Sequence, residues 1–221
     1  MSHSQTAVII PAAGSGERLG FGIPKAFVEV SGETLIERAV RNISSVAGLI
    51  VIAAPVGYED QMRKLFSADS VKVVAGGSLR SQSVANALKA IPDQIRYVLV
   101  HDAARAFAPT VLAEQVLAEL IAGQEAVIPA VDVIDTIKVI DSKGFVTATP
   151  DRKTLRAIQT PQGFTKDALR QAHLSGADAT DDAALVAQLG IPVKVISGDS
   201  RARKITTLDD LTWAQDLVRQ P

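Results

Sequence analysis

Short apolar runs alternate with segments of helical period along the chain. Ala7–Ile10, Leu49–Ala54, Val71–Ala75, Tyr97–His101 and Ala126–Pro129 are rich in valine and isoleucine. Runs of that length and type predict strands buried on both faces of a parallel sheet. Between them, Thr34–Ser44 sets Leu35, Ile36, Ala39, Val40 and Ile43 on one stripe, and Pro109–Ala122 does the same with Leu112, Val116, Leu117, Leu120 and Ile121. Both predict amphipathic helices. Thr207–Val218 opens with a Thr-x-x-Asp pattern, Thr207 to Asp210, that marks a helix start. Strand and helix in alternation predict a doubly wound α/β fold, in which ligands sit beyond the carboxyl ends of the strands. The loops after Ile10, Ala75 and His101 therefore share one rim.

One stretch, residues 132–158, breaks the rhythm. Ile134–Ile140 alternates apolar and polar, Asp141–Gly144 is turn-like, and Phe145–Thr149 alternates again. This predicts a hairpin too polar for the centre of a sheet. Two placements fit it: an edge ribbon on its own subunit, or an arm that pairs with a partner chain. Pattern alone favours the edge ribbon.

Length and composition narrow the class. A chain of 221 residues supports a sizeable core in one domain. A net charge of −1 gives no reason to expect nucleic acid or an anionic membrane as partner. The chain has no cysteine, which excludes disulfides and thiolate metal sites. Met1–Gln5 is short and polar, unlike a signal peptide, and no run reaches the ~18 apolar residues of a membrane span. A soluble, cytoplasmic protein is expected.

The chemistry concentrates on the three rim loops. The first reads Pro11-Ala-Ala-Gly-Ser-Gly-Glu-Arg-Leu19, with Pro24-Lys25 close behind. Its small residues allow backbone N–H groups to approach an anion, and Arg18 and Lys25 add two fixed cations, a combination suited to a triphosphate. It is not a dinucleotide fingerprint, because Leu19 stands where the third glycine belongs, and it has no Gly-Lys pair of a Walker loop. The second loop is Gly76-Gly-Ser-Leu-Arg80-Ser-Gln-Ser83. Its glycines again permit close approach, and Ser83 could bond a base or ribose, or Ser81 or Ser83 could simply cap the next helix. The third is His101-Asp-Ala-Ala-Arg105. Asp102, at the end of a strand among small residues, is the best candidate to hold Mg²⁺ against phosphate oxygens; a turn cap is its plainer role. Arg105 offers a planar fork to a second anion such as a sugar phosphate. His101 reads as a packed strand residue rather than a base. Farther on, Thr136 and Arg152 flank the hairpin, Thr160-Pro-Gln162 reads as a stiff turn, and Thr180-Asp-Asp182 as a helix N-cap with first-turn carboxylates. Arg201–Thr206 is a cationic, strand-like stretch that follows the apolar run Val193–Ile196, so one of its cations could reach the rim.

Taken together, these residues resemble a known family. P-A-A-G-S-G-E-R-L at 11–19, P-K at 24–25, G-G at 76–77 with Arg80 and Ser83, and H-D-A-A-R at 101–105 are its signature, in order, as are D-T-I-K at 135–138, T-P-Q at 160–162, T-D-D at 180–182 and K-I-T at 204–206. The chain is similar to the 2-C-methyl-D-erythritol 4-phosphate cytidylyltransferases of the non-mevalonate isoprenoid pathway from about residue 6 to 218. The resemblance implies one nucleotidyltransferase domain over 1–221, a Rossmann-like, mostly parallel sheet flanked by helices, and a projecting β-hairpin arm at about 132–156 that clasps the second subunit of a homodimer. It thereby reverses the placement that pattern alone favours. It implies that the substrate's 4-phosphate attacks the α-phosphate of CTP and releases pyrophosphate. Arg18 and Lys25 match the transition-state stabilisers. Pro11, Ala12, Ala13, Gly14, Gly16, Gly77, Arg80, Ser83, Asp102 and Ala103 match the CTP site, with Asp102 near Mg²⁺. Arg105, Thr136, Arg152, Thr160 and Lys204, with Asp102, match the methylerythritol phosphate site; Arg152 and Lys204 position the attacking phosphate.

Three residues depart from the family's pattern: Ala106 where proline is usual, Asp182 where glutamate is usual, and Glu17 beside Arg18. Physical chemistry agrees with the resemblance, since a sugar phosphate is already ionised at neutral pH and its attack needs placement and charge stabilisation rather than a general base. The rivals are a cytidylyltransferase for another alcohol phosphate, such as ribitol 5-phosphate, and a non-catalytic nucleotide-binding protein. The second would be expected to lose Arg18 or Lys25, and this chain keeps both.

Overall fold

The computed structural model describes residues 3–14, 16, 19–174 and 179–219. In chain order it opens with β1 (Thr6–Pro11), β2 (Glu29–Val30), β3 (Glu33–Thr34), α1 (Leu35–Ile43), β4 (Leu49–Ala54), α2 (Glu59–Leu65), β5 (Val71–Ala75) and α3 (Arg80–Leu88). Next come β6 (Tyr97–Val100), α4 (Thr110–Ile121), β7 (Ala126–Asp132), β8 (Val139–Ile140), β9 (Val146–Ala148), β10 (Arg156–Ile158) and β11 (Gln162–Thr165). The chain ends with α5 (Lys166–Leu174), α6 (Asp182–Gln188), β12 (Val193–Ser197) and α7 (Leu208–Arg219).

The main sheet runs β10-β7-β11-β6-β1-β4-β5, with β12 along the other side of β7. β5, β4, β1 and β6 are mutually parallel, and so are β7 and β12. β11 lies antiparallel between β6 and β7, and β10 extends beside β7 in the same sense. The chain winds outward from β1 through β4 to β5, then crosses back to place β6 on β1's other side. That reversal makes a crevice at the carboxyl ends of β1 and β6, where ligands bind in open α/β sheets.

The central strands are buried on both faces, as their unbroken apolar runs require. Ala7, Ile9 and Val51 pack on one side with residues of α3, α5 and α6. Val8, Ile10 and Ile52 pack on the other with residues of α1, α2 and α4. In α1 the buried side chains are Leu35, Ile36, Ala39, Val40 and Ile43, the stripe its period predicts. Thr34 Oγ1 accepts from the Glu37 N–H, and Glu37 returns a carboxylate oxygen to the Thr34 N–H, which starts the helix. α7 starts on the reciprocal pair Thr207 and Asp210. Ile121 departs from the predicted stripe of α4: it is half exposed in the last turn, while Ala113 is buried instead.

The hairpin is shorter than its alternation predicts, and it is not an edge ribbon. β8 and β9 form a separate two-stranded sheet, and residues 134–138 are not strand. The segment leaves the main sheet at the end of β7, Asp132, and returns at the start of β10, Arg156. Its side chains from Ile134 to Thr149 are exposed, Ile134 at 82% and Phe145 at 70%.

Candidate functional site

A cleft of about 350 Å³ lies over the carboxyl ends of β1, β5 and β6. All three rim loops line it: Pro11–Gly14, Gly16 and Lys25 from the first, Gly77, Arg80 and Ser83 from the second, and Asp102 and Ala103 from the third, joined by Lys204. Its size is that of a small-molecule site. Arg18 and Glu17 lie outside the described residues.

The first loop folds back on itself. The Lys25 N–H donates to the Gly14 carbonyl at 3.3 Å, and Gly16 takes φ +74°. A Cβ on Gly16 would come within 3.0 Å of the Lys25 backbone nitrogen, so glycine is what permits the turn that brings Lys25 to the cleft. Gly76 serves a similar purpose in the second loop: a Cβ there would lie 2.7 Å from the Ala13 methyl and 2.8 Å from the Ala54 carbonyl oxygen. The first two rim loops therefore pack directly against each other.

α3 begins at Arg80, so the positive end of its dipole adjoins the cleft. Neither Ser81 nor Ser83 is its N-cap. That position is Leu79, and the Gln82 side-chain oxygen accepts from the N–H groups of Ser78 and Leu79. Ser83 is buried, with its Oγ accepting from the Gly77 N–H at 3.0 Å and donating to the Leu79 carbonyl at 3.1 Å. It ties the glycine pair to the helix while lining the cleft.

Asp102 is surrounded by cations. One carboxylate oxygen meets Arg80 Nε at 3.2 Å; the other meets Lys204 Nζ at 2.8 Å, with Arg105 Nε 4.0 Å away. Burial works to raise its pKa, but Arg80, Lys204 and Arg105 together outweigh burial and hold it well below the usual carboxylate range. Asp102 is thus a permanent anion, and its side chain does not cap the turn that follows. The Asp102 N–H donates to Thr160 Oγ1 at 3.0 Å, and the same hydroxyl lies 3.0 Å from His101 Nδ1. Thr160 therefore fixes the third loop from beneath, on a buried position behind the cleft. Burial pushes the His101 imidazole down to about 4, so it is neutral packing material at physiological pH.

Arg105 does not line the cleft. Its terminal nitrogens donate to the carbonyls of Ala202 and Ile158, at 2.7 and 3.0 Å, leaving its buried Nε without a hydrogen bond. Ala106 keeps the following turn without proline: its φ of −54° falls in the range a proline ring imposes. Thr136 and Arg152 sit on the exposed limbs of the hairpin, away from their own chain's cleft; Arg152 donates to the Ile134 carbonyl at 2.7 Å across the arm's base.

Asp181 is the N-cap of α6, accepting from the Ala184 N–H at 2.9 Å, and Asp182 is its first residue; the helix start falls where the sequence predicts it, one residue later than a Thr180 cap would put it. The sequence does not announce what Asp182 does next. It is fully buried, and its carboxylate meets Arg80 at 2.6 Å and His173 at 2.9 Å. Burial works to raise its pKa; His173 and Arg80 overcome that and lower it. The signal that could have found this partnership is the departure at position 182, read together with Arg80.

Among the described residues no three His, Cys, Asp or Glu side chains gather as a metal cage. Among the described lining residues Asp102 is the one carboxylate, beside Lys25, Arg80 and Lys204. A single carboxylate beside a phosphate nest fits Mg²⁺, which keeps its waters and shares substrate oxygens rather than filling an all-protein cage.

A family model described as IspD, 2-C-methyl-D-erythritol 4-phosphate cytidylyltransferase, matches residues 6–220. A relative of that name from Nocardia farcinica (strain IFM 10152) is 47% identical over 220 residues, spanning 98% of this chain and 95% of the relative. Another from Rhodococcus opacus (strain B4) is 49% identical over 216 residues, 96% and 94% of the two chains. Among solved structures, the 2-C-methyl-D-erythritol 4-phosphate cytidylyltransferase from Thermus thermophilus superposes with a TM-score of 0.82 at 36% identity, covering 96% of this chain and 98% of the other. The 4-diphosphocytidyl-2C-methyl-D-erythritol synthase from Anaerococcus prevotii gives 0.86 at 29% identity, covering 97% and 96%.

Proposed function

Because the chain belongs to the 2-C-methyl-D-erythritol 4-phosphate cytidylyltransferase family, we infer the working parts of that reaction from its cleft. The enzyme joins CTP to 2-C-methyl-D-erythritol 4-phosphate, giving 4-diphosphocytidyl-2-C-methyl-D-erythritol and pyrophosphate. The relatives' names go against the rivals, an enzyme for ribitol 5-phosphate or a non-catalytic nucleotide binder.

The observation that carries the site reading is the set Lys25, Arg80 and Lys204 around a glycine-rich nest, with Asp102 among them. CTP is held by the loop backbone at Pro11–Gly14 and Gly16 and by Gly77, Arg80, Ser83 and Ala103. Lys25 faces the charge that develops as the bond to pyrophosphate breaks, the role that the family's pattern gives to Arg18 as well. Lys204 positions the attacking phosphate, whose ionised oxygen becomes bonded to the α-phosphorus while pyrophosphate leaves with its electron pair. Mg²⁺ held by Asp102 would neutralise triphosphate oxygens and make pyrophosphate a better leaving group. Arg80 and Lys204 already neutralise that carboxylate, so incoming phosphates compete with it for both cations.

The second substrate extends this picture beyond one chain. Thr136 and Arg152 do not line their own chain's cleft, and the arm that bears them exposes Ile134, Ile140, Phe145 and Val146. Exposed apolar side chains of that kind support docking against a second copy, which would deliver Arg152 and Thr136 to the neighbour's substrate and make the working unit a homodimer. Arg105 and Thr160 then act on that substrate's side mainly by fixing the loop of Asp102. Among the described residues no helix is long and apolar enough to cross a membrane. CTP and a sugar phosphate are reactants of the cytoplasm, the compartment proposed for the enzyme.

The test is pyrophosphate release with CTP, ATP, GTP and UTP, each against methylerythritol phosphate and ribitol 5-phosphate, with and without Mg²⁺. Turnover with CTP, methylerythritol phosphate and metal is expected. Equal turnover with ribitol 5-phosphate, or turnover unchanged by chelation, would remove the substrate or the metal reading respectively.

A further inference from the structure

Arg80 lies between two carboxylates of unlike standing. Asp102 lines the cleft and has competing partners in Lys204 and Arg105. Asp182 does not line the cleft, is 1% exposed, and spends one oxygen on Arg80 Nη1 at 2.6 Å and the other on His173 Nε2 at 2.9 Å. It is also rigidly mounted. The preceding Asp181 accepts from Gln162 Nε2 at 2.8 Å, and the Ala183 N–H donates to Gln162 Oε1 at 3.2 Å, which pins the start of α6 to β11. His173 comes from a different element, α5, and is 6% exposed. The Arg80 contact to Asp102, at 3.2 Å, is the longer of its two.

We propose that Asp182, held by His173, is the positioning residue for Arg80: it anchors the guanidinium from behind, so that Arg80 is shared with Asp102 rather than closed on it and stays available to the nucleotide's phosphates. Asp102 must give up part of its hold on Arg80 when phosphates enter. Asp182 need not, because its buried side chain does not line the cleft. Without Asp182, Arg80 has one carboxylate left among the described residues, the one the nucleotide site itself uses, and collapse onto it takes a cation and an anion out of play together. The inference rests on the reading of Arg80 as a CTP contact.

The test measures CTP binding by calorimetry without the alcohol phosphate, and both KM values in turnover, for Arg80→Gln, Asp182→Asn, Asp182→Glu and the double variant Arg80→Gln/Asp182→Asn. Arg80→Gln and Asp182→Asn are each expected to weaken CTP binding about 10- to 100-fold, the range of one charge-assisted hydrogen bond. The KM for methylerythritol phosphate should hold. The double variant should bind no more weakly than the poorer single one, and Asp182→Glu, which keeps the charge, should recover most of the loss. Should Asp182→Asn fail to fold, His173→Leu takes its place, with a smaller loss expected that vanishes in the Arg80→Gln background. If Arg80→Gln binds CTP normally, the Arg80 reading is lost and this inference with it. If Arg80→Gln is impaired while Asp182→Asn binds normally, or the two losses multiply, Arg80 stands and only the role of Asp182 is overturned.

Discussion

Lys25 is the residue whose role is most open to a direct test. It is brought to the cleft by the Gly16 turn, beside a backbone nest. Lys25→Ala should fold normally and lose about 10²–10³ in kcat, the usual cost of one group aimed at developing charge. A wild-type kcat with an intact fold would take Lys25 out of the mechanism. His101 makes a different prediction. Its pKa is lowered from 6.5 to about 4, so the unfolded chain binds the extra proton and the folded chain does not. Its contribution is full above pH 6.5, declines as pH falls, and is lost by about pH 4; the integrated effect is up to roughly 3 kcal/mol. Denaturation midpoints of wild type and His101→Asn, followed from pH 7 to 4, should differ in slope there, with the flatter curve belonging to the variant. At this scale the sequence was legible wherever chemistry depends on residue type and local spacing: the small residues of the first loop, Asp102 at a strand end, and Asp181 at a helix start. It was opaque where a side chain's partner comes from far along the chain. Asp182 meets Arg80 across 102 residues, and the Arg105 guanidinium, which reads as an anion fork, donates to the carbonyls of Ala202 and Ile158.

Elements show the same division. Strands buried on both faces and helices with a sustained stripe declare themselves, because burial dictates their composition. β11 does not. Gln162-Gly-Phe-Thr165 is short, contains glycine and starts within the Thr160–Gln162 stretch that reads as a turn, yet it fills the gap between β6 and β7. Its glycine has a packing purpose: a Cβ at Gly163 would overlap a Val116 methyl and come within 2.9 Å of Leu120 Cδ1, both on α4. Gly163→Ala should therefore destabilise by about 1–3 kcal/mol through overpacking. An unchanged denaturant midpoint would mean that α4 shifts freely and that the close approach is not needed. The hairpin errs in the other direction. Its alternation predicts two long strands, but only Val139–Ile140 and Val146–Ala148 pair. Alternation records which face of the segment is apolar, and here that pattern continues beyond the ladder into exposed chain.

For the whole molecule the open question is which cleft each arm serves. Arg152 lies at the base of an exposed arm and off its own cleft, while Lys25 lines that cleft. If arms are exchanged between subunits, the two residues of one active site belong to different chains. Arg152→Ala should then raise KM for methylerythritol phosphate and lower kcat with little change in KM for CTP, since the residue acts on the attacking phosphate. Mixing resolves the geometry. In a dimer of one Arg152→Ala subunit and one Lys25→Ala subunit, crossed arms put both lesions in one site and leave the other intact. Such a mixture should recover up to about half the wild-type activity per mixed dimer, whereas arms serving their own chains would leave each site with one lesion and no recovery. Subunit exchange must be followed independently, for instance by mass-tagged subunits. Exchange without returning activity would show that each arm serves its own chain, and the exposed Ile134, Ile140 and Phe145 would then need another partner.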